Sequence, residues 1–322
     1  MNAQRFPKRP ERGRISRREF FRLAAAAAVT ACTARPDRVR AADDGMVYRP
    51  IPSSGQVIPI VGLGSARTFN VDPSDGDAMK PLLGVMHAFH AGGGRVVDSS
   101  PMYGHAEAVV GTLARRLGIT HELFMATKVW TNGRDAGAAQ MERSARRMGV
   151  RRLDLIQVHN LVDLHTQLDT LKRWRDEGRV RYIGVTHSSV RAHDDLVRIV
   201  ESEPIDFVQL NYNIAVRDAE QRLLPAAADR GVATLINEPF EKGSLFRRTR
   251  GRPLPDWAAA LGCKSWAQYF LKFILGHPAV TCAIPATSDP AHAADNVRAG
   301  RGTLPDASER ERMVRYFASL QV

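Results

Sequence analysis

Four ionisable side chains stand at or just after the ends of three successive predicted strands. Asp98, Lys128 and His159 each end a segment rich in β-branched residues, and Tyr103 follows Asp98 in the next loop. The spacings of 30 and 31 residues each match one strand–helix unit. A carboxylate, a phenol, an ammonium and an imidazole held together can move a proton to or from an oxygen atom.

Each of these residues has an ordinary structural explanation when it is taken singly. An Asp after a strand caps a turn, a Lys extends to water, a His fills a core position and a Tyr anchors a loop. Their joint occurrence at successive strand ends favours a shared site.

The elements that must position these side chains form a repeating pattern. Helical stretches with apolar residues three and four apart, such as Leu196, Ile199 and Val200, alternate with strand-like runs. Eight such strand–helix units predict an α/β fold, a (β/α)8 barrel of the TIM type, whose catalytic groups lie at the carboxyl ends of the strands. The predicted barrel strands span residues 60–64, 95–98, 123–129, 153–159, 180–186, 207–212, 232–236 and 280–284.

Two further segments complete the predicted fold. Residues 46–52 and 56–61 flank Ser53-Ser54-Gly55, which predicts an N-terminal β-hairpin. Residues 238–264 are too long for an ordinary connection and predict a surface excursion over the barrel mouth. A doubly wound sheet would need Gly-x-Gly-x-x-Gly after the first strand, and the turn beginning at Gly62 lacks the third glycine.

The composition excludes several classes of protein. The chain has 322 residues, 44% hydrophobic and 25% charged, and three cysteines, which excludes a disordered chain and a disulfide scaffold. Its net charge is +12, but residues 1–41 carry 11 basic against three acidic residues and hold +8 of it. We therefore expect no nucleic-acid partner, and we predict neither a metal site nor a transmembrane segment. Cys263 and Cys282 are expected to be buried and free.

The basic leader has the order of regions found in a secretory signal. Arg17 and Arg18 precede a short apolar run over residues 23–31, and a polar stretch follows. This block resembles the twin-arginine export signal, which implies the twin-arginine machinery as a partner of the precursor and a periplasmic or otherwise exported protein. Cleavage after Ala41 would divide the chain into a signal peptide, 1–41, and a barrel, 42–322. The alternatives are a lipid anchor through Cys32 and a disordered basic arm.

The chain from residue 46 to residue 322 resembles an aldo-keto reductase. Asp98, Tyr103, Lys128 and His159 match the catalytic tetrad of that family in type, order and local motif. The resemblance implies a (β/α)8 barrel that transfers hydride between NADPH and a small-molecule carbonyl or alcohol. It also implies that the hairpin plugs the bottom of the barrel.

The tetrad has a physical rationale in that chemistry. Hydride transfer to a carbonyl leaves an alkoxide that needs a proton, and a tyrosine with a pKa near 10 is a slow acid at neutral pH. Lys128 is expected to lower the pKa of Tyr103 by roughly two to three units. Asp98 would keep Lys128 protonated, and His159 would donate a hydrogen bond to the carbonyl oxygen.

The resemblance also assigns residues to the cofactor and the substrate. Trp130 would line the substrate pocket, although packing at the barrel edge explains it equally well. The positions assigned to a nicotinamide dinucleotide are Gly64, Ser65, Thr186, His187, Gln209, Asn237, Pro285, Thr287, Ser288, Asp295 and Asn296.

Some of these positions depart from the family pattern. Asn237 stands where an aromatic residue usually stacks on the nicotinamide ring, and an amide cannot stack. Ala286 and His292 stand where many relatives have Lys and Arg on the 2′-phosphate. The loss of these two cations weakens the expected preference for NADPH over NADH. We expect NADP as the cofactor, with NAD left open.

Two functions from different classes follow. The first is an exported NAD(P)-dependent reductase in which Tyr103 is the general acid and base. Reduced nicotinamide is not normally regenerated outside the cytoplasm, so either the cofactor stays bound and is recycled or the reaction is redox-neutral. The second is a nucleotide-binding barrel that acts as a sensor or interaction subunit with little turnover, which the altered stacking position at Asn237 would favour.

Overall fold

The computed structural model describes residues 40–41 and 45–320. Arg17, Arg18 and Cys32, on which the predicted export signal and the alternative lipid anchor depend, lie outside the described residues. Within the described part of the chain, no helix has both the length and the apolar character needed to cross a bilayer.

A small antiparallel sheet precedes the barrel. The strands β2 (Val47–Pro50) and β3 (Val57–Pro59) form the predicted hairpin, and β1 (Arg40–Ala41) adds a third, two-residue strand. Arg49 links the hairpin to the segment that precedes the last barrel strand, because its guanidinium donates to the carbonyls of Leu275, His277 and Val280.

Eight parallel strands form the main sheet, each paired with its sequence neighbours. The first and last strands also meet, since parallel bridges join Val61 to Ala283 and Gly64 to Ala286. The predicted (β/α)8 barrel is therefore confirmed, although its first and last strands are shorter than expected. The strands are β4 (Leu63–Gly64), β5 (Val96–Asp98), β6 (Phe124–Val129), β7 (Leu153–His159), β8 (Val180–His187), β9 (Phe207–Asn211), β10 (Ala233–Asn237) and β11 (Cys282–Ala283).

Ten α-helices of the described chain connect or follow these strands. The predicted excursion over residues 238–264 contains one short α-helix and two 3-10 helices. The helices are α1 (Gly76–Ala91), α2 (Ala106–Arg116), α3 (Arg134–Met148), α4 (Leu164–Asp176), α5 (His193–Ser202), α6 (Leu223–Asp229), α7 (Ser244–Arg248), α8 (Trp266–Leu275), α9 (Pro290–Arg298) and α10 (Ala307–Ser319).

The interior of the barrel changes character along its axis. Alternate residues of a strand face the same side of a sheet. The strands β5 to β10 each place an apolar residue inside the barrel near the start of the strand and a polar residue near its end. On β6, Phe124 and Ala126 lie in the interior cluster and Lys128 follows them. On β7, Leu155 lies in the same cluster, and Gln157 and His159 follow it. The polar side chains inside the barrel therefore lie near the carboxyl ends of the strands.

Both cysteines of the described chain are buried and free, as predicted. Burial raises the pKa of the Cys263 thiol to about 11 and raises that of the Cys282 thiol further. Neither thiol is activated for chemistry, since a reactive cysteine needs a lowered pKa.

Candidate active site

The centre of the site is a buried ion pair at the ends of β5 and β6. The Lys128 Nζ lies 2.5 Å from Asp98 Oδ2 and donates to the Ser99 carbonyl at 2.7 Å. The side chains of Lys128 and Asp98 are 0% and 4% exposed. Burial alone would lower the pKa of Lys128, but Asp98 and Tyr103 raise it above its ordinary value. The ammonium therefore stays charged in the barrel.

Two glutamines hold the other oxygen of Asp98. Gln157 and Gln209 donate their Nε2 groups to Asp98 Oδ1 at 3.2 and 3.0 Å. The Oε1 atom of Gln209 accepts from Thr186 Oγ1 at 3.0 Å and from Asn237 Nδ2 at 3.4 Å. Both oxygens of the carboxylate are thus paired with protein donors, so the group is buried with its hydrogen bonds satisfied.

Tyr103 lies over this ion pair. The Lys128 Nζ is 5.2 Å from the centre of the Tyr103 ring. Burial raises the pKa of the Tyr103 phenol, and this outweighs the opposing effect of Lys128; Asp98 and Glu238 add to the increase. The expected lowering of the Tyr103 pKa is therefore wrong for this structure, because desolvation of the phenolate exceeds its attraction to the ammonium. The phenol is held in its protonated form.

His159 completes the group at the end of β7. Its ring centre is 5.8 Å from that of Tyr103 at an interplanar angle of 90°. The Nδ1 atom is 3.0 Å from Ser100 Oγ. Burial, followed by the charge of Lys128 and the neighbouring His187, lowers the pKa of His159 to about 3. The imidazole is therefore neutral at physiological pH.

These four residues meet at a cavity of about 660 Å³ at the carboxyl end of the barrel. Asp98, Tyr103 and His159 line it, and Lys128 lies just beneath them. Two buried polar atoms among the lining residues, Thr68 Oγ1 and Asn237 Oδ1, lack a hydrogen-bond partner in the described chain. Since buried polar atoms are normally paired, the cavity fits a ligand that carries its own polar groups.

Only part of the predicted cofactor set lines this cavity. The residues that do are Gly64, Ser65, Thr186, Gln209 and Asn237. Gly64 also has a packing reason to be glycine, because a Cβ there would lie 2.8 Å from the carbonyl of Ile284. The amide of Gln209 is already bonded within the protein. The roles assigned to these residues stay predictions.

The other predicted positions lie away from the cavity lining. The Nδ1 of His187 accepts from the Ser189 amide, and Ser288 is exposed. Asp295 accepts hydrogen bonds from Ser265 and Gln268 at the start of α8. Pro285 and Thr287 are buried ahead of α9, and Asn296 is buried in its last turns. Trp130 is 40% exposed. Their roles stay predictions as well.

Several residues of the site were not predicted. Gln157 precedes His159 by two positions, so the alternation of a strand could have placed it inside the barrel. Ser100 lies within the motif that carries Asp98 and Tyr103, but its contact with His159 crosses between two strands. Glu238 lines the cavity paired with Lys242 at 3.0 Å, and spacing along the chain gives no signal for it.

Backbone strain in the described chain collects at this end of the barrel. Seven non-glycine residues have positive φ, and they follow β4, β7 and β10. Strained residues persist where the surrounding structure holds them, and they cluster at functional sites. They are Arg67, Asn160, Leu161, Asp163, Glu238, Glu241 and Lys242.

Known proteins resemble this chain in sequence and in fold. Aldo-keto reductase YhdN of Bacillus subtilis is 28% identical over 62% of this chain and 64% of its own length. Aldo-keto reductase str7 of Strobilurus tenacellus is 30% identical over 58% of this chain and 57% of its own length. The match with each of these relatives thus spans less than two thirds of the relative.

A solved structure shares the fold. An aldo-keto reductase from Klebsiella pneumoniae in complex with NADPH superimposes with a TM-score of 0.71 at 24% identity, covering 84% of this chain and 96% of that one. A scan of family models matches the Aldo/keto reductase family over residues 61–311. That span contains Asp98, Tyr103, Lys128 and His159, and the chain belongs to the aldo/keto reductase family.

Proposed function

We propose that this protein is an NADP-dependent oxidoreductase that reduces an aldehyde or ketone, or oxidises the corresponding alcohol, with Tyr103 as the general acid and base. The observation that carries this proposal is the placement of a protonated phenol above a buried Lys128–Asp98 pair and edge-on to a neutral His159. Family membership supports the reaction class.

Each residue of the site has a defined task in this proposal. Tyr103 gives its proton to the carbonyl oxygen as negative charge develops there, and takes it back in the reverse direction. Lys128 stabilises the phenolate that remains, because its ammonium is fixed beside the ring. Asp98 keeps that ammonium charged and in place. His159, being neutral, donates a hydrogen bond to the same oxygen without competing as an acid.

The cofactor assignment rests on the cavity and on the relatives. A nicotinamide dinucleotide supplies the hydride when it is bound. Ser65, Thr186 and Asn237 line the cavity and would hold its polar groups, and the unpartnered Asn237 oxygen offers an acceptor for an amide. The Klebsiella relative was solved with NADPH, which favours NADP for this chain. NAD remains the alternative.

Replacing Tyr103 by Phe tests the proposed acid. Since one positioned acid contributes about 10²- to 10⁴-fold, Tyr103→Phe should lower kcat for carbonyl reduction by at least about 10². The affinity for NADPH, measured by fluorescence titration, should be unchanged. Unaltered kcat would exclude Tyr103 as the acid. A wild-type protein that binds NADPH but turns over no carbonyl would favour the sensor or interaction subunit.

We propose separately that the protein is exported through the twin-arginine route to the periplasm or beyond. The support is the arginine pair Arg17-Arg18 followed by the apolar run over residues 23–31. Replacing both arginines by Lys keeps the charge and should trap the precursor in the cytoplasm, as measured by fractionation. A variant with Arg12 and Arg14 replaced by Lys is the matched control. Normal export of the Arg17/Arg18 variant would overturn the proposal.

A further inference from the structure

Ser100 connects two members of the catalytic group through separate atoms. Its side chain is fully buried. The carbonyl of Ser100 accepts from the Tyr103 amide at 3.0 Å. Its hydroxyl oxygen accepts from the Met102 amide at 3.2 Å and lies 3.0 Å from His159 Nδ1. Ser100 therefore touches both the loop that carries the phenol and the ring that faces it.

The surroundings of the hydroxyl decide which atom donates in the contact with His159. A neutral imidazole carries hydrogen on one nitrogen only. If Nδ1 carried it and donated, the hydroxyl hydrogen of Ser100 would have no acceptor in the described chain, and it is buried. A buried donor without an acceptor destabilises the arrangement that contains it. The favoured arrangement therefore has Ser100 donating and Nδ1 accepting.

This direction decides which ring nitrogen of His159 carries the hydrogen. With Nδ1 as the acceptor, the hydrogen must sit on Nε2. No hydrogen bond to Nε2 occurs in the described chain, and His159 lines the cavity. The Nε2–H group is then free to meet an oxygen of the ligand, whereas the opposite tautomer would turn a lone pair toward that oxygen.

We propose that Ser100 is a positioning residue that holds His159 in the Nε2–H tautomer, so that the imidazole can only donate to the substrate oxygen. Ser100 acts through His159 and does not touch the reacting atoms. The consequence for turnover rests on the proposed function, whereas the tautomer itself does not.

Nitrogen-15 NMR of the full chain labelled at histidine tests the tautomer directly. The His159 signals are assigned by their loss in His159→Gln. In the wild type, Nε2 should show the shift of a protonated nitrogen and Nδ1 that of an acceptor. In Ser100→Ala the two nitrogens should move toward a mixture of tautomers. Ser144→Ala is the matched control, since Ser144 is also buried and its hydroxyl has no hydrogen-bond partner in the described chain.

Kinetics supply the second measurement. Ser100→Ala should lower kcat for a carbonyl about tenfold with the Kd for NADPH unchanged, and Ser100→Thr, which keeps the hydroxyl, should recover most of the loss. An unchanged tautomer in Ser100→Ala would overturn the inference. If the tautomer changes but the wild type reduces no carbonyl, the proposed function fails and the role of Ser100 stands.

Discussion

The two ends of the barrel interior are filled by side chains of opposite character. Near the amino ends of the strands, Phe124, Tyr182 and Phe207 pack with ring centres 5.7 to 6.0 Å apart. Near the carboxyl ends, the buried residues are an ion pair and a set of amides around Asp98. Apolar burial at the amino end stabilises the folded state, whereas the burial of charge at the carboxyl end has a desolvation cost.

The backbone follows the same division. The positive-φ non-glycine residues of the described chain all lie in loops at the carboxyl end. Each strained residue costs of order 1–3 kcal/mol, so the polar end must be stabilised from elsewhere. The aromatic end therefore contributes stability to the fold, whereas the polar end contains the buried charge and the strained backbone.

The largest expected effect comes from Lys128. Lys128→Met leaves the Asp98 carboxylate buried without its partner, so the free energy of unfolding should fall by about 3–5 kcal/mol. It should also lower kcat by at least about 10², because the acid loses its stabilising charge. Chemical denaturation and steady-state kinetics measure the two losses.

Lys272→Met is the matched control for that change. Lys272 is 1% exposed and donates to the carbonyls of Arg301 and Thr303 at 2.8 Å, away from the cavity. Its loss should destabilise the fold and leave kcat of the folded protein unchanged. An equal fall of kcat in both variants would mean that general destabilisation, and not the site, controls turnover.

A truncation at the aromatic end should destabilise the fold and leave kcat unchanged. Phe207 is fully buried, and Phe207→Ala should lower the free energy of unfolding by about 3–5 kcal/mol. Well below the melting temperature, kcat should stay within about twofold of the wild-type value, since the ring packs against Phe124 and Tyr182 at the amino end of the barrel. A large fall of kcat at full folding would break the division between the two ends. Phe207→Leu is the milder control.

The smallest expected effect is the difference in affinity between NADPH and NADH. Ala286 offers no charge to a 2′-phosphate, and the His292 side chain is 72% exposed. The dissociation constants of NADPH and NADH should therefore lie within about tenfold, or about 1.4 kcal/mol. Ala286→Lys should widen the gap in favour of NADPH. A wild-type preference of several hundredfold, measured by titration, would show that other residues bind the phosphate.

Much of the site was predictable because it depends on strand register. Asp98, Lys128 and His159 end successive strands, and parallel strands bring such residues to one rim. The side-chain contacts were not predictable, since they depend on rotamers and on partners from distant strands. Gln209, which was expected to hold the cofactor, lines the cavity, but the sequence did not indicate that its amide bonds to Asp98 and Thr186.

The expected pKa of Tyr103 failed for a related reason. The sequence indicates that a charge lies near the phenol, but it does not indicate how much water remains. Burial is a property of the assembled loops after β4, β5 and β10, which line the cavity together. The length of β11 was likewise overestimated, because ordinary sequence patterns do not show where pairing with β4 stops.

The contacts of Arg49 have a consequence for how the chain is made. Its guanidinium donates to carbonyls of residues 275–280, and parallel bridges join Val61 to Ala283 and Gly64 to Ala286. The ring therefore cannot close before residues 275–286 have been made. A nascent polypeptide on the ribosome cannot close its sheet until that segment has been translated. We therefore expect slow, late closure and a need for protection of the exposed strand edges during synthesis.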